Sequence, residues 1–269
     1  MMCRLLEVSR SGYYAWSGRA PSARALRDVE LTHEVRRVHE RSRDTYGSPR
    51  VHAQLQREGI EVGVGTVARL MKMTGLSGKV RRRFKVTTDS NHEEAIAPNL
   101  VNREFAVETT DSVWCADITY IRTASGWVYL AVVLDLATRM VVGWSLARHM
   151  RTELIHSALV NALSWRKPAG RLVHHSDRGS QYASGEFRRL LAAHGIECSM
   201  SRKGNCWDNA PMESFFGTFK QELYFHESWS NLADARAATH DYIEVFYNRQ
   251  RLHSTLGYIT PMEADGVVQ

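Results

Sequence analysis

Residues 112–147, SVWCADITYIRTASGWVYLAVVLDLATRMVVGWSLA, decide the fold. SVWCADITYIR (112–122) reads as a strand, WVYLAVVLD (127–135) follows Ser125-Gly126 at hairpin distance, and RMVVGWSLA (139–147) follows a second tight turn at Ala137-Thr138. Downstream the period changes. An amphipathic helix is expected over 152–165, ended by Pro168-Ala169-Gly170, then a short strand over 171–175, a helix over 184–194 stopped by Gly195, and a short strand over 196–200. Two longer helical patterns follow over 210–223 and 232–250. Three antiparallel strands followed by alternating helix and strand predict an α/β fold: a mixed five-stranded sheet with flanking helices, in the order of ribonuclease-H-like folds.

Upstream the chain reads as all-helical. Residues 1–22 form a short helical stretch ending at Gly18 and Pro21. Over 26–41, Leu31, Val35 and Val38 recur at helical spacing. Ser48 reads as the N-cap of a helix over 49–58, and a second helix over 66–74 turns Val67, Leu70 and Met71 inward. Thr66, Arg69 and Lys72 lie on the outer face of that second helix, as in a DNA-reading helix-turn-helix, although any small helical bundle with a basic face has the same pattern. Residues 79–104 have no sustained period and read as a basic, then polar linker, whose Arg81, Arg82 and Arg83 either touch phosphate or form a solvated charge run. The expected organisation is therefore a helical DNA-binding region (1–78), a linker (79–104) and a catalytic core with a C-terminal helix (105–265).

Charge divides the chain the same way. Residues 1–86 carry 18 Lys+Arg against 8 Asp+Glu, a net of +10, while residues 87–269 carry 17 against 21, a net of −4. A basic front half joined to a mildly acidic rear half points to a polyanion-binding region attached to something with another task. The longest apolar run, near 128–136, is interrupted by Asp135 and is far short of the ~20 residues of a membrane span. The N-terminus does not read as a signal peptide, and four scattered cysteines (Cys3, Cys115, Cys198, Cys206) give neither a disulfide framework nor a four-ligand zinc site. A protein of the cytoplasm, associated with the nucleoid and not with a membrane, is expected.

Three acids stand where packing alone would not ask for them. Asp117 lies inside a strand, Asp177 ends the short strand LVHHSD, and Glu213 is in the first turn of a helix whose buried face is marked by Met212, Phe215, Phe216, Phe219 and Leu223. Glu213 and Lys220 fall two turns apart on one flank of that helix. Singly, Asp117 pairing with an arginine, Asp177 capping a turn and Glu213 favouring the helix N-terminus are ordinary roles. Converging, the three would present hard oxygen donors and a charge of about −3, a site suited to two Mg²⁺ (or Mn²⁺) ions.

The spacing sharpens this. Asp177 and Glu213 are separated by 35 residues, and Lys220 follows Glu213 by seven. WCADITYI (114–121), HHSDRGSQY (174–182), MSRKGNCWDNAPMESFFGTFK (200–220) and YNRQRLHSTLGYITP (247–261), with CRLLEVSRSGYYAW (3–16) and RDTYGSPRVHAQL (43–55), resemble the DDE transposases with an integrase catalytic core of the insertion-sequence-three family. The likeness is to the subunit of the second reading frame (OrfB). It implies that Asp117, Asp177 and Glu213 are catalytic metal ligands and that Lys220 contacts DNA. It also implies strand cleavage and strand transfer at the ends of a bacterial insertion sequence, with element and target DNA as partners. The chain begins directly at MMCRLL, so the resemblance further implies a separate first-frame (OrfA) partner or a frameshift fusion. Joining two ends implies at least a dimer. A nuclease on the same fold and an inactive DNA-binding repressor are the rival readings.

Around the triad, Gly179 and Ser180 are expected to turn the backbone sharply after Asp177, and Asn209 to be an N-cap. Of His174 and His175, one is expected in the core and one near the site. Tyr182 either approaches DNA or packs in the core, and Arg249 and Arg251 either bind phosphate or clamp the last helix.

Overall fold

The computed structural model describes residues 2–79, 96–203 and 205–266. It forms two compact units, Met1–Gly78 and Lys79–Gln269. Arg81, Arg82 and Arg83 lie outside the described residues.

The first unit is all-helical. It comprises α1 (Met2–Leu5), α2 (Arg10–Ser17), α3 (Ala23–Arg41), α4 (Ser48–Arg57) and α5 (Val64–Met73). Serine hydroxyls start two of these helices, Ser9 Oγ accepting from the Gly12 amide and Ser22 Oγ from that of Ala25. At α4 the cap is Gly47 and not Ser48, with Pro49 in the first turn. Proline has no amide to satisfy there and its fixed φ suits helix entry, so a side-chain cap is not needed. Leu31, Val35 and Val38 of α3 meet Val51 and Leu55 of α4 and Val67, Leu70 and Met71 of α5, all buried. Arg37 and Arg41 of α3 pair with Glu58, just past the end of α4.

The second unit is built on one sheet. Its strands are β1 (Val113–Thr123), β2 (Gly126–Asp135), β3 (Val141–Ala147), β4 (Val173–Ser176) and β5 (Glu197–Met200), in the order β3-β2-β1-β4-β5. β1–β2 and β2–β3 are antiparallel, whereas β1–β4 and β4–β5 are parallel. This is the mixed, ribonuclease-H-like sheet that the sequence predicts. The helices are α6 (Thr152–Arg166), α7 (Ser180–Ala183), α8 (Gly185–Ala193), α9 (Ala210–Phe219), α10 (Leu232–His240) and α11 (Pro261–Ala264). Among the described residues no helix is long and apolar enough to cross a membrane.

Alternation along the strands gives the sheet two apolar faces. On one, Cys115, Ile121 and Leu130 meet Met212, Phe215 and Phe219 of α9. On the other, Trp114, Ala131 and Val133 meet Leu154 and Ala158 of α6 and Phe187 of α8. Each such large side chain, fully buried, contributes roughly 1.5–3 kcal/mol. Gly143 lets β3 and α6 approach: a Cβ there would stand 2.7 Å from the Ala162 Cβ and closer still to the Ala158 carbonyl.

The two long helical patterns differ from expectation. The α9 helix ends at Phe219 and continues as π-helical Lys220–Tyr224, and α10 continues as π-helical Asp241–Tyr247. Hydrophobic spacing identifies the buried face but does not separate α from π turns, which bury much the same side chains. The residue after the second π segment, Asn248, turns its amide to β3: Oδ1 accepts from the Val141 N–H and Nδ2 donates to the Val141 carbonyl, both at 3.0 Å. Farther along β3, Asn161 donates to the Trp144 carbonyl and Arg236 to that of Leu146. Arg251 is a clamp: it is buried, donating to both carboxylate oxygens of Glu222, which also accepts from the Tyr242 hydroxyl. Arg249 is exposed.

Both histidines after Leu172 are buried. The His174 ring sits 5.9 Å from Tyr182 and 5.3 Å from Phe187, with neither nitrogen hydrogen-bonded among the described residues. Burial, with a smaller effect from His175, pushes its pKa down to about 3. The folded ring thus stays neutral while the unfolded ring protonates below its ordinary 6.5, so stability is lost as pH falls from 6.5 towards about 3. Denaturant titrations across that window are expected to show His174→Phe flattening a slope that for one proton approaches about 1.4 kcal/mol per pH unit. A residual slope is expected from His175, whose value burial also lowers, and from the carboxylates that arginines hold below their ordinary range.

Candidate active site

The last parallel rung between β1 and β4 pairs Ala116 with Ser176. Asp117 and Asp177 are the next residues on the two strands, at the point where the strands part. Both are half-buried, as are Glu213 in the first turn of α9 and Lys220 at the start of its π-helical continuation. Asp117 Oδ1 accepts from the Ile118 amide at 2.7 Å, and Asp177 Oδ1 from the Gly179 amide at 2.9 Å.

The second of these bonds revises the expectation for Gly179. Its φ of −58° is open to any residue, so no left-handed turn is involved. The constraint is room, since a Cβ would lie 3.1 Å from both Asp177 Oδ1 and Gln181 Oε1. Asp177 does close a local turn, the ordinary role noted from sequence, and it does so beside a second acid.

That proximity registers electrostatically. The Asp117 carboxyl is held well above the usual carboxylate range, first by burial and then by the negative charge of Asp177. The Ile118 amide pulls the other way, Glu213 adds a further push upward, and the Lys220 ammonium offsets part of it. Burial lowers the Lys220 pKa and Asp117 raises it, and its Nζ stands 4.8 Å over the Tyr120 ring. Among the described residues, no group of three or more His, Cys, Asp and Glu side chains is gathered as a metal-binding cluster. The donor chemistry nevertheless fits a hard divalent cation: carboxylate oxygens within electrostatic reach of one another, with one carboxyl destabilised as an anion by the others.

What holds α9 against β1 was only partly visible in the sequence. Asn209 occupies the N-cap position but makes no capping bond; its Nδ2 donates to the Ala116 carbonyl at 3.3 Å, one residue before Asp117. Pro211 sits in the first turn of α9, where its missing amide leaves one donor fewer to satisfy. Asp208, fully buried, accepts from the Arg202 amide and guanidinium (2.8–2.9 Å), from Arg103 Nε (2.7 Å) and from Asn99 Nδ2 (3.1 Å). Its carboxyl is held far below the usual range, chiefly by Arg202. The Asp208 carbonyl can only accept, so His175 Nε2 carries the proton of their 3.0 Å bond, and Nδ1 accepts from Ser199 Oγ at 2.8 Å. His175 is therefore a strut under the loop and not a ligand.

Tyr182 packs in the core, 2% exposed. Its hydroxyl has no hydrogen-bond partner among the described residues, and its pKa is pushed well up by burial and by the charges of Asp117 and Asp177. In the first unit, Arg69 donates to Asp28 Oδ1 at 2.7 Å, tying α5 to α3, while Lys72 is exposed. A groove of about 410 Å³ runs along β3, lined by Trp144, Asn161, Arg236 and Glu244 among others, and none of the three carboxylates lines it.

Residues 108–206 match the family described as integrase core domain, residues 194–261 a second family of the same description, and residues 26–84 an HTH-like domain. The "Insertion element IS600 uncharacterized 31 kDa protein" of Shigella sonnei is 46% identical over 260 residues, spanning 97% of this chain and 96% of that one. "Transposase InsF for insertion sequence IS3A" of Escherichia coli (strain K12) is 39% identical over 262 residues, spanning 97% and 91%. Among solved structures, a chain of the simian T-cell lymphotropic virus intasome in complex with PP2A regulatory subunit B56 gamma is similar at a TM-score of 0.49 and 15% identity, over 85% of this chain and 73% of that one. That likeness is too slight to build on.

Asp208→Asn keeps the shape of the loop latch and removes its charge. Its arginine partners stay solvated, so the expected cost is about 1–3 kcal/mol, read as a lower denaturation midpoint. An unchanged midpoint would mean that the latch adds nothing to the α9 anchorage.

Proposed function

This chain belongs to the insertion-sequence-three family of DDE transposases with an integrase catalytic core, and from that premise we propose that Asp117, Asp177 and Glu213 are its catalytic carboxylates. The observation that carries the assignment is that Asp117 and Asp177 follow the last parallel rung of β1 and β4, with Glu213 near enough to add to the upward push on the Asp117 pKa. The three would hold divalent metal, two Mg²⁺ or Mn²⁺ ions in the full reading. Such ions, when bound, polarise phosphoryl oxygens and lower the pKa of water.

The reaction is two successive phosphoryl transfers with no covalent enzyme intermediate. Water first breaks a phosphodiester at the end of the element, leaving a 3′-hydroxyl, and that hydroxyl then attacks a second phosphodiester, expelling its 3′-oxygen. The chain's contribution is to align nucleophile and phosphate and to meet the charge that builds in the transition state. Lys220, whose ammonium is within electrostatic reach of Asp117, would bind a phosphate of the processed strand. In the first unit, the exposed Lys72 and, with it, Arg69 are the expected contacts to duplex DNA, with Arg81, Arg82 and Arg83 adding charge along the following segment.

The same reading divides the chain into a DNA-binding region (1–78), a linker (79–104) and a core (105–265). It supplies as partners the element ends, the target DNA, at least one further copy of the chain and the first-frame product, joined by frameshifting or separate. A cytoplasmic, nucleoid-associated location accompanies it.

Asp177→Asn is expected to abolish Mg²⁺-dependent nicking and joining of labelled element ends. The loss should exceed about 100-fold, which outer partners of metal sites alone can reach. DNA affinity measured by gel shift should stay nearly unchanged. Full activity in that variant ends the triad assignment, and nicking without joining in the wild type returns the nuclease reading.

A further inference from the structure

Beyond Ala116 the side of β1 that faced β4 has no strand partner among the described residues, while β1 and β2 stay paired to the hairpin end, Thr123 opposite Gly126. Along this stretch two large rings are left in solvent, Tyr120 at 38% and Trp127 at 44% exposure. Their centroids lie 5.3 Å apart at an interplanar angle of 83°. Each carries a cation: the Arg122 guanidinium carbon is 5.1 Å from the Trp127 ring centre, and Lys220 Nζ is 4.8 Å from that of Tyr120. Arg122 and Trp127 stand directly opposite across the hairpin, so cross-strand packing accounts for their contact. It accounts neither for the exposure of Tyr120 nor for an ammonium drawn over it from another element.

Lys220 ties this patch to the carboxylates. It lies over Tyr120 and within electrostatic reach of Asp117, three residues or about 10 Å of strand away. Residues three apart on a strand face opposite sides of a sheet, and the open edge of β1 is where one side chain can meet both.

We propose that Tyr120, Trp127 and Arg122 form a stacking platform for an unpaired base of the DNA strand processed at the neighbouring carboxylates. This rests on the strand-transfer reading and adds to it a site for a single-stranded nucleotide. Exposed rings flanked by cations suit a ligand with a flat π-face and a phosphate on either side. A duplex hides the faces of its bases, so the occupant is a base freed from its pair, a few nucleotides at most from the phosphate being cut. Base stacking of this kind tolerates any sequence.

The test uses the full chain in EDTA, so that no strand is cut. The probes are a short duplex of arbitrary sequence, blunt or with a single-stranded overhang containing 2-aminopurine. The wild type is expected to bind the overhang duplex more tightly than the blunt one and to quench the 2-aminopurine. Tyr120→Ala with Trp127→Ala should weaken overhang binding about 5- to 100-fold, leave blunt binding unchanged and abolish the quench. Tyr120→Phe with Trp127→Phe, which keeps both rings, should restore all three. The proposal is overturned by equal wild-type affinity for the two duplexes, by binding without quenching, or by alanine variants that match the wild type. Should the alanine variants not fold, Tyr120→Leu with Trp127→Leu, which keeps apolar bulk and removes both rings, makes the same test. Nicking and joining in Mg²⁺, scored separately with Asp177→Asn as the blank, distinguish failure of the platform from failure of the strand-transfer reading.

Discussion

Two carboxyl groups leave the sheet from neighbouring strands where β1 and β4 part. Four rungs of parallel pairing bring Val113–Ala116 against Val173–Ser176, and the next residue on each strand is an aspartate. Burial raises the cost of ionising Asp117, and the charge of Asp177 raises it further. A fold tolerates such a cost where the repulsion is useful, as when it is relieved on binding a cation. The chemistry proposed for the site follows from this tension, and the rest of the second unit serves to maintain it.

The maintenance is mostly polar and lies in the connection between β5 and α9. Asn209 reaches the Ala116 carbonyl, His175 supports the Asp208 carbonyl, and Arg103, Arg202 and Asn99 converge on the Asp208 carboxylate. The helix that carries Glu213 is thereby referenced to β1 immediately next to Asp117. Behind it, the Glu222–Arg251 pair with the Tyr242 hydroxyl joins the two π-helical segments in the core. Buried ion pairs of this sort add little net stability, but losing one partner leaves an uncompensated charge, so they fix one arrangement against others.

Strand alternation, turn residues and helical period made the mixed five-stranded sheet and the helix-turn-helix pattern legible in the sequence, because these report burial, and burial builds the fold. Position along the chain also singled out Asp117, Asp177 and Glu213, acids standing in apolar surroundings. What stayed hidden depended on contacts distant in sequence. Asn209 reads as a cap because caps are local, whereas its real partner is 93 residues away. His174 and His175 alternate on a strand, which implied different surroundings; the elements packed on both faces bury both. Tyr120 and Trp127 drew no reading from the sequence, since nothing in a linear pattern shows that their rings are left exposed on the sheet.

The outer margin of the sheet carries a last consequence. Along β3, the amides of Asn248 and Asn161 and the guanidinium of Arg236 occupy backbone groups that another polypeptide would need in order to add itself as a sixth ribbon. Another copy of this molecule is thus discouraged from pairing its main chain with the β3 margin. At that margin, contact with another polypeptide is left to side chains.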